Sequence, residues 1–156
     1  MKNKQFISIL FFSIILLIID QGIKFYLTNS MNLNDVNVIY DNFFSINLVH
    51  NTGAAFSIFS GNRIFLIIIG IIALICSIVF VIKDDNYSDI EIFIYSLLIG
   101  GIAGNLVDRI GHGYVIDYLS FKFGSYYFPI FNFADICIVV SVILILISSI
   151  KGELWK

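Results

Sequence analysis

The stretch "YFPIFNFADICIVVSVILILISSI", Tyr127 to Ile150, opens with aromatic rings and the chain's single proline and closes in an uncharged apolar run, Ile136–Ile150. Between the two stands a carboxylate, Asp135. Crossing a bilayer takes about 20 apolar residues, and at about 1.5 Å per residue this run falls short of the hydrocarbon thickness. Polar residues must complete the span at its N-terminal end, which places Asp135 where lipid gives way to water. Ionisable groups at such depth are costly and face a bundle interior or a water-filled cavity.

Two further apolar runs are cut short in the same way. Phe6–Ile19 stops at Asp20 and Ile92–Val107 stops at Asp108, whereas Ile64–Ile82 is uncharged and long enough to cross unaided. The whole chain of 156 residues is 59% hydrophobic and 13% charged, with mean hydropathy +0.96. Soluble domains are nearer half apolar and a quarter charged, so this is an integral membrane protein. The expected architecture is an all-α, four-span membrane domain over 1–156, with spans near 6–27, 64–82, 92–108 and 134–150. The N-terminal "MKNKQFISILFFSIILLIID" imitates a signal peptide, but no small-x-small cleavage site or lipobox follows, so it reads as an uncleaved first span. A net charge of −2 and the lack of any basic run give no sign of a nucleic-acid partner. Cys76 and Cys137 lie inside apolar runs, and without CxxC or Cys/His spacing neither a disulfide nor a metal site is expected. No cofactor is expected.

Threading four spans up and down the membrane has one consequence. The end of span one, the end of span three and the start of span four fall on the same side, so Asp20, Asp108 and Asp135 converge there. Lys24, one turn after Asp20, and Arg109, beside Asp108, arrive with them. Lys2 and Lys4 before span one favour a cytoplasmic N-terminus. Both termini then lie in the cytoplasm and the polar cluster faces away from it.

Two segments lie on that outer side. In "VNVIYDNFFSINL", Val36, Val38 and Tyr40 alternate, Asp41-Asn42 can turn, and Phe44, Ile46 and Leu48 alternate again, the pattern of a short hairpin. The segment 109–133 is rich in Gly, Tyr and Phe, rings that favour the headgroup region. Together they can form a platform on the bilayer.

Each polar stretch has a plain structural explanation beside a functional one. Asp20 and Lys24 are four apart on one helix face, as an interfacial ion pair would be. In "HNTGAAFS", a turn accounts for Asn51 and Gly53, and His50 has no partner at ligand spacing. In "GGIAGNLVDRIGHG", Gly100 and Gly104 form a small-xxx-small pair that lets helices approach closely, and Asn105, Asp108 and Arg109 put a polar edge on the helix end. Asp117, in "GYVIDYLSF", and Asp135, in "FPIFNFADI", both stand in apolar surroundings without a basic neighbour in sequence. They can be caps or interfacial acids. If they meet, like charges in close contact share a proton. The ionised acid can then deprotonate water while the protonated one donates to a carbonyl, which hydrolyses a peptide bond without metal, serine or cysteine. HExxH and GxSxG are absent. A Ser-Lys dyad drawn from Ser57, Ser60 or Ser120 with Lys24 or Lys122 stays open.

The blocks "DQGIK", "HNTGAAFS", "GGIAGNLVDR", "VIDYLSF" and "FNFADICI", in this order from Asp20 to Ile138, resemble the bacterial lipoprotein signal peptidases, or signal peptidase II. The resemblance implies an intramembrane aspartyl endopeptidase of the cytoplasmic membrane, blocked by globomycin. Such an enzyme removes the signal peptide of prolipoproteins just before a diacylglyceryl-modified cysteine. It implies a catalytic pair at Asp117 and Asp135. It assigns Asp20, Lys24, Asn51, Asn105, Asp108, Arg109 and Asn132 to shaping the pocket, holding substrate backbone or bracing the acids, with Gly53 in a loop that approaches substrate. It also implies a four-helix bundle carrying an extracytoplasmic β-cradle and a short outer helix, working as a monomer on prolipoproteins among membrane lipids. Tyr118 stands where Phe is common in the family. Two other classes compete: a proton or ion translocator, and a non-catalytic assembly factor. A translocator needs ionisable groups through the full membrane depth, and spans two and four carry none towards the inner side.

Overall fold

The computed structural model describes residues 2–54, 58–83 and 86–150. Four helices and four strands follow in the order α1 (Lys2–Ser30), β1 (Val36–Tyr40), β2 (Phe44–Asn51), α2 (Arg63–Lys83), α3 (Asp89–Gly111), β3 (Val115–Phe123), β4 (Tyr126–Tyr127) and α4 (Phe133–Ile150). All four helices are long and apolar enough to cross a membrane. The apolar runs that end at Asp20 and Asp108 do not end their helices. α1 continues to Ser30 and α3 to Gly111, so both carboxylates sit on continuous helical backbone.

α3 is the central helix and the one buried along most of its length. Its glycines set the packing. A Cβ at Gly100 would lie 2.9 Å from Leu16 Cβ and 3.0 Å from the Ser13 carbonyl of α1, and one at Gly101 would lie 2.6 Å from the Ala134 carbonyl of α4. One at Gly104 would meet an Asp20 carboxylate oxygen at 2.6 Å. The glycine series therefore brings α1 and α4 to near backbone contact with α3, the role small residues take where lipid offers no hydrophobic drive for helix association. Deeper in the bundle Ser13 donates to the Ser96 carbonyl and Ser96 donates to the Ile9 carbonyl, each at 3.3 Å, so these hydroxyls are satisfied between α1 and α3.

The end of the bundle opposite the sheet is tied by two local devices. Ser88 caps α3 in a reciprocal box with Glu91. The Gln5 side chain donates to the Tyr87 carbonyl at 2.7 Å and accepts from the Tyr87 N–H at 3.1 Å, joining α1 to the turn before α3. Ile9, Val81, Tyr87, Tyr95 and Ile99 form the apolar core beneath.

At the other end the strands make one antiparallel sheet, ordered β1-β2-β3-β4. The hairpin expected at Val36–Leu48 is β1 and β2, with Asn42 of the turn at φ 57, a left-handed conformation that Asn tolerates. The strand β3 was not legible. Val115, Ile116, Asp117 and Tyr118 are all buried, so its start shows no alternation and hides a carboxylate within an apolar string. Pairing with β2 sets Asp117 opposite Val49 and Val115 opposite Asn51. Among the described residues no separate short outer helix is present; between β2 and α2 the chain turns at residues 58–61.

These contacts predict opposite outcomes for two glycines. Gly101→Ala forces a backbone clash and should lower stability by about 1–3 kcal/mol. Gly22→Ala, with nothing within 4 Å of the new Cβ, should be neutral or stabilise α1 by about 0.5–1 kcal/mol. Melting temperatures of the two variants in detergent decide it.

Candidate active site

The site is assembled on the N-terminus of α4. Asn132 is its N-cap: the Asn132 side-chain oxygen accepts the Asp135 N–H at 2.9 Å, and an Asp135 carboxylate oxygen accepts the Asn132 N–H at 3.2 Å. This is a reciprocal capping arrangement. The remaining first-turn N–H groups are also satisfied. Phe133 N–H donates to the Tyr118 hydroxyl at 3.2 Å, Ala134 N–H donates to Asp20 Oδ1 at 3.1 Å, and Ile136 N–H donates to the Asn132 carbonyl at 3.3 Å.

Two sets of carboxylates stand side by side, and their partners differ in kind. In the first, the Lys24 ammonium lies 2.8 Å from both Asp20 and Asp108. Each of the three side chains is at most 2% exposed. Gln21 adds donors to Asp20 at 3.1 Å and to Asp108 at 2.9 Å. The expected Asp20–Lys24 pair is thus one arm of a buried triad spanning α1 and α3. Such a triad is costly to dehydrate and is tolerable only with its remaining lone pairs satisfied.

The second set is Asp117 and Asp135, and side-chain amides dominate around it. Asp117 accepts from Asn132 Nδ2 at 2.6 Å on one oxygen and from Asn51 Nδ2 at 2.8 Å on the other. Asp135 accepts from Asn105 Nδ2 at 2.7 Å. Asn132 therefore touches both acids, and Asn105 links Asp135 to the triad through Lys24, 3.4 Å from its oxygen. Among the described residues neither acid makes a direct ion pair. Burial, and next the negative charge of Asp135, push the Asp117 carboxyl up to about 7. Burial also raises the neighbouring Tyr118 phenol above its ordinary value.

Arg109 does not pair with Asp108 beside it in sequence. Its guanidinium donates to the Gly53 carbonyl at 3.0 Å, and the Gly53 N–H donates to Asn51 Oδ1 at 2.9 Å. Gly53 and Asn51 are thereby fixed at the mouth of the site. A cavity of about 540 Å³ opens there. Asp117, Asp135, Asn51, Asn105 and Arg109 line one part; Val115, the segment Phe128–Phe131 and α4 residues such as Ile136, Val139 and Val140 line the rest. Val139 is 55% exposed, so the apolar wall continues onto the outer face of the bundle.

All ten residues singled out in the sequence converge on this region. Reading the sequence missed three others. Gln21 was quoted inside "DQGIK" but carries no charge to draw attention. Tyr118 looked like one apolar residue among several. Arg63 donates to the Arg109 and Ile110 carbonyls, closing the C-terminal end of α3; its position at the first residue of α2 was the available signal. His50 is not alone: its ring stacks on Tyr114 at 3.7 Å between centroids, and His112 stacks on the same tyrosine. Three parts of the Ser-Lys alternative have other partners. Lys24 is committed to two carboxylates, Ser60 shares a hydrogen bond with Thr52 at 2.7 Å, and Lys122 lies over the Tyr127 ring. Ser57 lies outside the described residues.

Known proteins share this sequence and architecture. A family profile described as signal peptidase (SPase) II matches residues 12–151. The lipoprotein signal peptidase of Staphylococcus epidermidis is 41% identical over 155 residues, covering 99% of this chain and 96% of that one. That of Staphylococcus haemolyticus is 39% identical over 152 residues, covering 97% and 96%. A bacterial membrane enzyme solved by the in meso method at 2.3 Å superposes with a TM-score of 0.86 at 36% identity, over 96% of this chain and 91% of that one. A second such structure, at 1.9 Å, gives a TM-score of 0.82 at 36% identity. With the family matched over nearly the full length and the four-span bundle shared, the chain belongs to the signal peptidase II family and is a multi-pass membrane peptidase of the lipoprotein signal peptidase type.

Proposed function

We propose that this peptidase hydrolyses the bond immediately before a diacylglyceryl-modified cysteine in prolipoproteins, with Asp117 and Asp135 activating the attacking water. The observation that carries the reading is the contrast between the two carboxylate sets. Asp20 and Asp108 share one counter-ion, the Lys24 ammonium at 2.8 Å from each. Asp117 and Asp135 are held mainly by amides, in a cavity whose remaining lining is apolar. An acid pair kept out of ion pairs in a largely apolar cavity is poised to exchange protons.

In this mechanism the pair carries one proton and titrates as a unit. Burial and the neighbouring charge push the Asp117 carboxyl up to about 7, which keeps a proton on the pair near neutral pH. The ionised acid takes a proton from water as the oxygen attacks the scissile carbonyl. The protonated acid donates to the carbonyl oxygen, and the resulting tetrahedral species collapses with a proton delivered to the leaving nitrogen. Asn51 and Asn105 orient the carboxylates, and Arg109 and Gly53 border the path of the substrate backbone. The apolar wall of α4 suits a substrate whose lipid stays in the bilayer and whose scissile bond stays level with the acids. The site faces away from the cytoplasm, and both termini lie inside, in keeping with the lysines in the first turn of α1.

Purified enzyme in detergent, given a synthetic diacylglyceryl prolipoprotein, tests this directly. Asp117→Asn and Asp135→Asn should each lose at least about 100-fold in kcat/KM while remaining folded. Near-normal cleavage by either variant would overturn the pair. In the wild type, activity should fall as pH rises through about 7, because the shared proton is then lost, and fall again in acid once both carboxyls are protonated. Stability carries the same signature. Folded Asp117 keeps its proton up to about 7 against an ordinary 3.8, so its contribution is full below 3.8 and disappears as pH rises through about 7. Asp117→Asn lacks that dependence, and its melting temperature relative to wild type should be higher at pH 8 than at pH 5.

A further inference from the structure

The buried triad ends on two particular peptide groups. Asp20 Oδ1 accepts the N–H of Ala134, the residue before Asp135. Asp108 Oδ2 accepts the N–H of Ile116, the residue before Asp117, at 3.1 Å. Lys24 joins the two carboxylates at 2.8 Å on each side. One continuous chain of short polar contacts thus runs from the backbone preceding one acid to the backbone preceding the other: Ala134, Asp20, Lys24, Asp108, Ile116.

We infer that the Asp20–Lys24–Asp108 triad is a positioning device that sets the separation of the Asp117 and Asp135 carboxyls by gripping the peptide group immediately before each. The inference rests on the reading of Asp117 and Asp135 as the proton-sharing pair. β3 and α4 are different kinds of element: the backbone bonds of β3 to Phe128 and Phe131 reach the segment before α4, and the contacts to the start of α4 itself run through the Asn132 and Tyr118 side chains. Helix and strand have different rises per residue, so no shared ladder can hold Asp117 and Asp135 in register. A buried ion triad can, because the two charge-assisted contacts to Lys24 are short and directional and none of the three side chains has room to move. Gly104 is part of the fit: a Cβ there would meet Asp20 Oδ2 at 2.6 Å. The charged or titratable groups around the pair are Asp20 and Lys24 from α1, Asp108 and Arg109 from α3, and Tyr118 from β3.

The test compares Asp20→Ala, Asp20→Asn and Asp108→Asn with Ser96→Ala, which loosens the α1–α3 contact far from the site. Each is assayed on the diacylglyceryl prolipoprotein across pH, alongside its melting temperature. If the triad sets the spacing, Asp20→Ala should lose about 10- to 100-fold in kcat with little change in KM. Its pH profile should also shift, because altered separation changes how strongly the two acids share a proton. Asp20→Asn retains an acceptor for the Ala134 N–H and should recover part of the loss. Ser96→Ala should keep the wild-type pH profile whatever its melting temperature. A merely structural role would lower the melting temperature of the triad variants while the folded fraction kept the wild-type profile and kcat, and that result overturns the inference. If Asp20→Ala does not fold, Asp20→Asn and Asp108→Asn give the same reading. Asp117→Asn and Asp135→Asn run beside them: if those two stay active, the pair itself is misassigned; if they are inactive while the triad variants match wild type, only the positioning role fails.

Discussion

A single ammonium group organises the half of this protein that carries the sheet. Lys24 lies between Asp20 and Asp108 with almost no solvent contact, and three elements depend on that arrangement. α1 contributes Asp20 and Lys24, α3 contributes Asp108, and α4 is held by its Ala134 N–H on Asp20. Removing three charged groups from water costs several kcal/mol per ion unless each is matched. Here each is matched, by Gln21, Asn105 and two peptide N–H groups, and every partner sits at the level of the acid pair.

The glycines of α3 make this geometry possible. Side chains as short as Asp reach across helix interfaces only when backbones nearly touch, and Gly100, Gly101 and Gly104 allow that approach on two sides of one helix. Asn132, fully buried, then serves three purposes: it caps α4, orients Asp117 and contacts Asn105. Its dual donor and acceptor amide suits a position where one neighbour is a helix N-terminus and the others are acids and amides.

Burial explains why some features could be read ahead of the fold and others could not. The β1–β2 hairpin is a surface element, so its alternation and its Asp41-Asn42 turn stand out in the sequence. β3 is covered where it matters, and its opening Val115-Ile116-Asp117-Tyr118 has no period to detect. Tyr118 and Gln21 escaped notice because their contributions lie in one hydroxyl and one amide whose partners are far away in the chain. Asp20 and Lys24 were legible as a local pair, but nothing local announces Asp108 as the third member.

The sequence alone established a four-span membrane protein with its polar residues gathered at one end, because hydrocarbon thickness and the alternation of spans leave no other placement for Asp20, Asp108 and Asp135. Its ordered motifs also resembled the family that the full-length comparisons then showed. Folding in three dimensions assigned the carboxylates their different partners. Ion pairing depends on which side chains meet across α1, α3, β3 and α4, and a lysine within reach of two acids but with no direct contact to the other two is a property of helix packing at the ångström scale, which no spacing along the chain encodes.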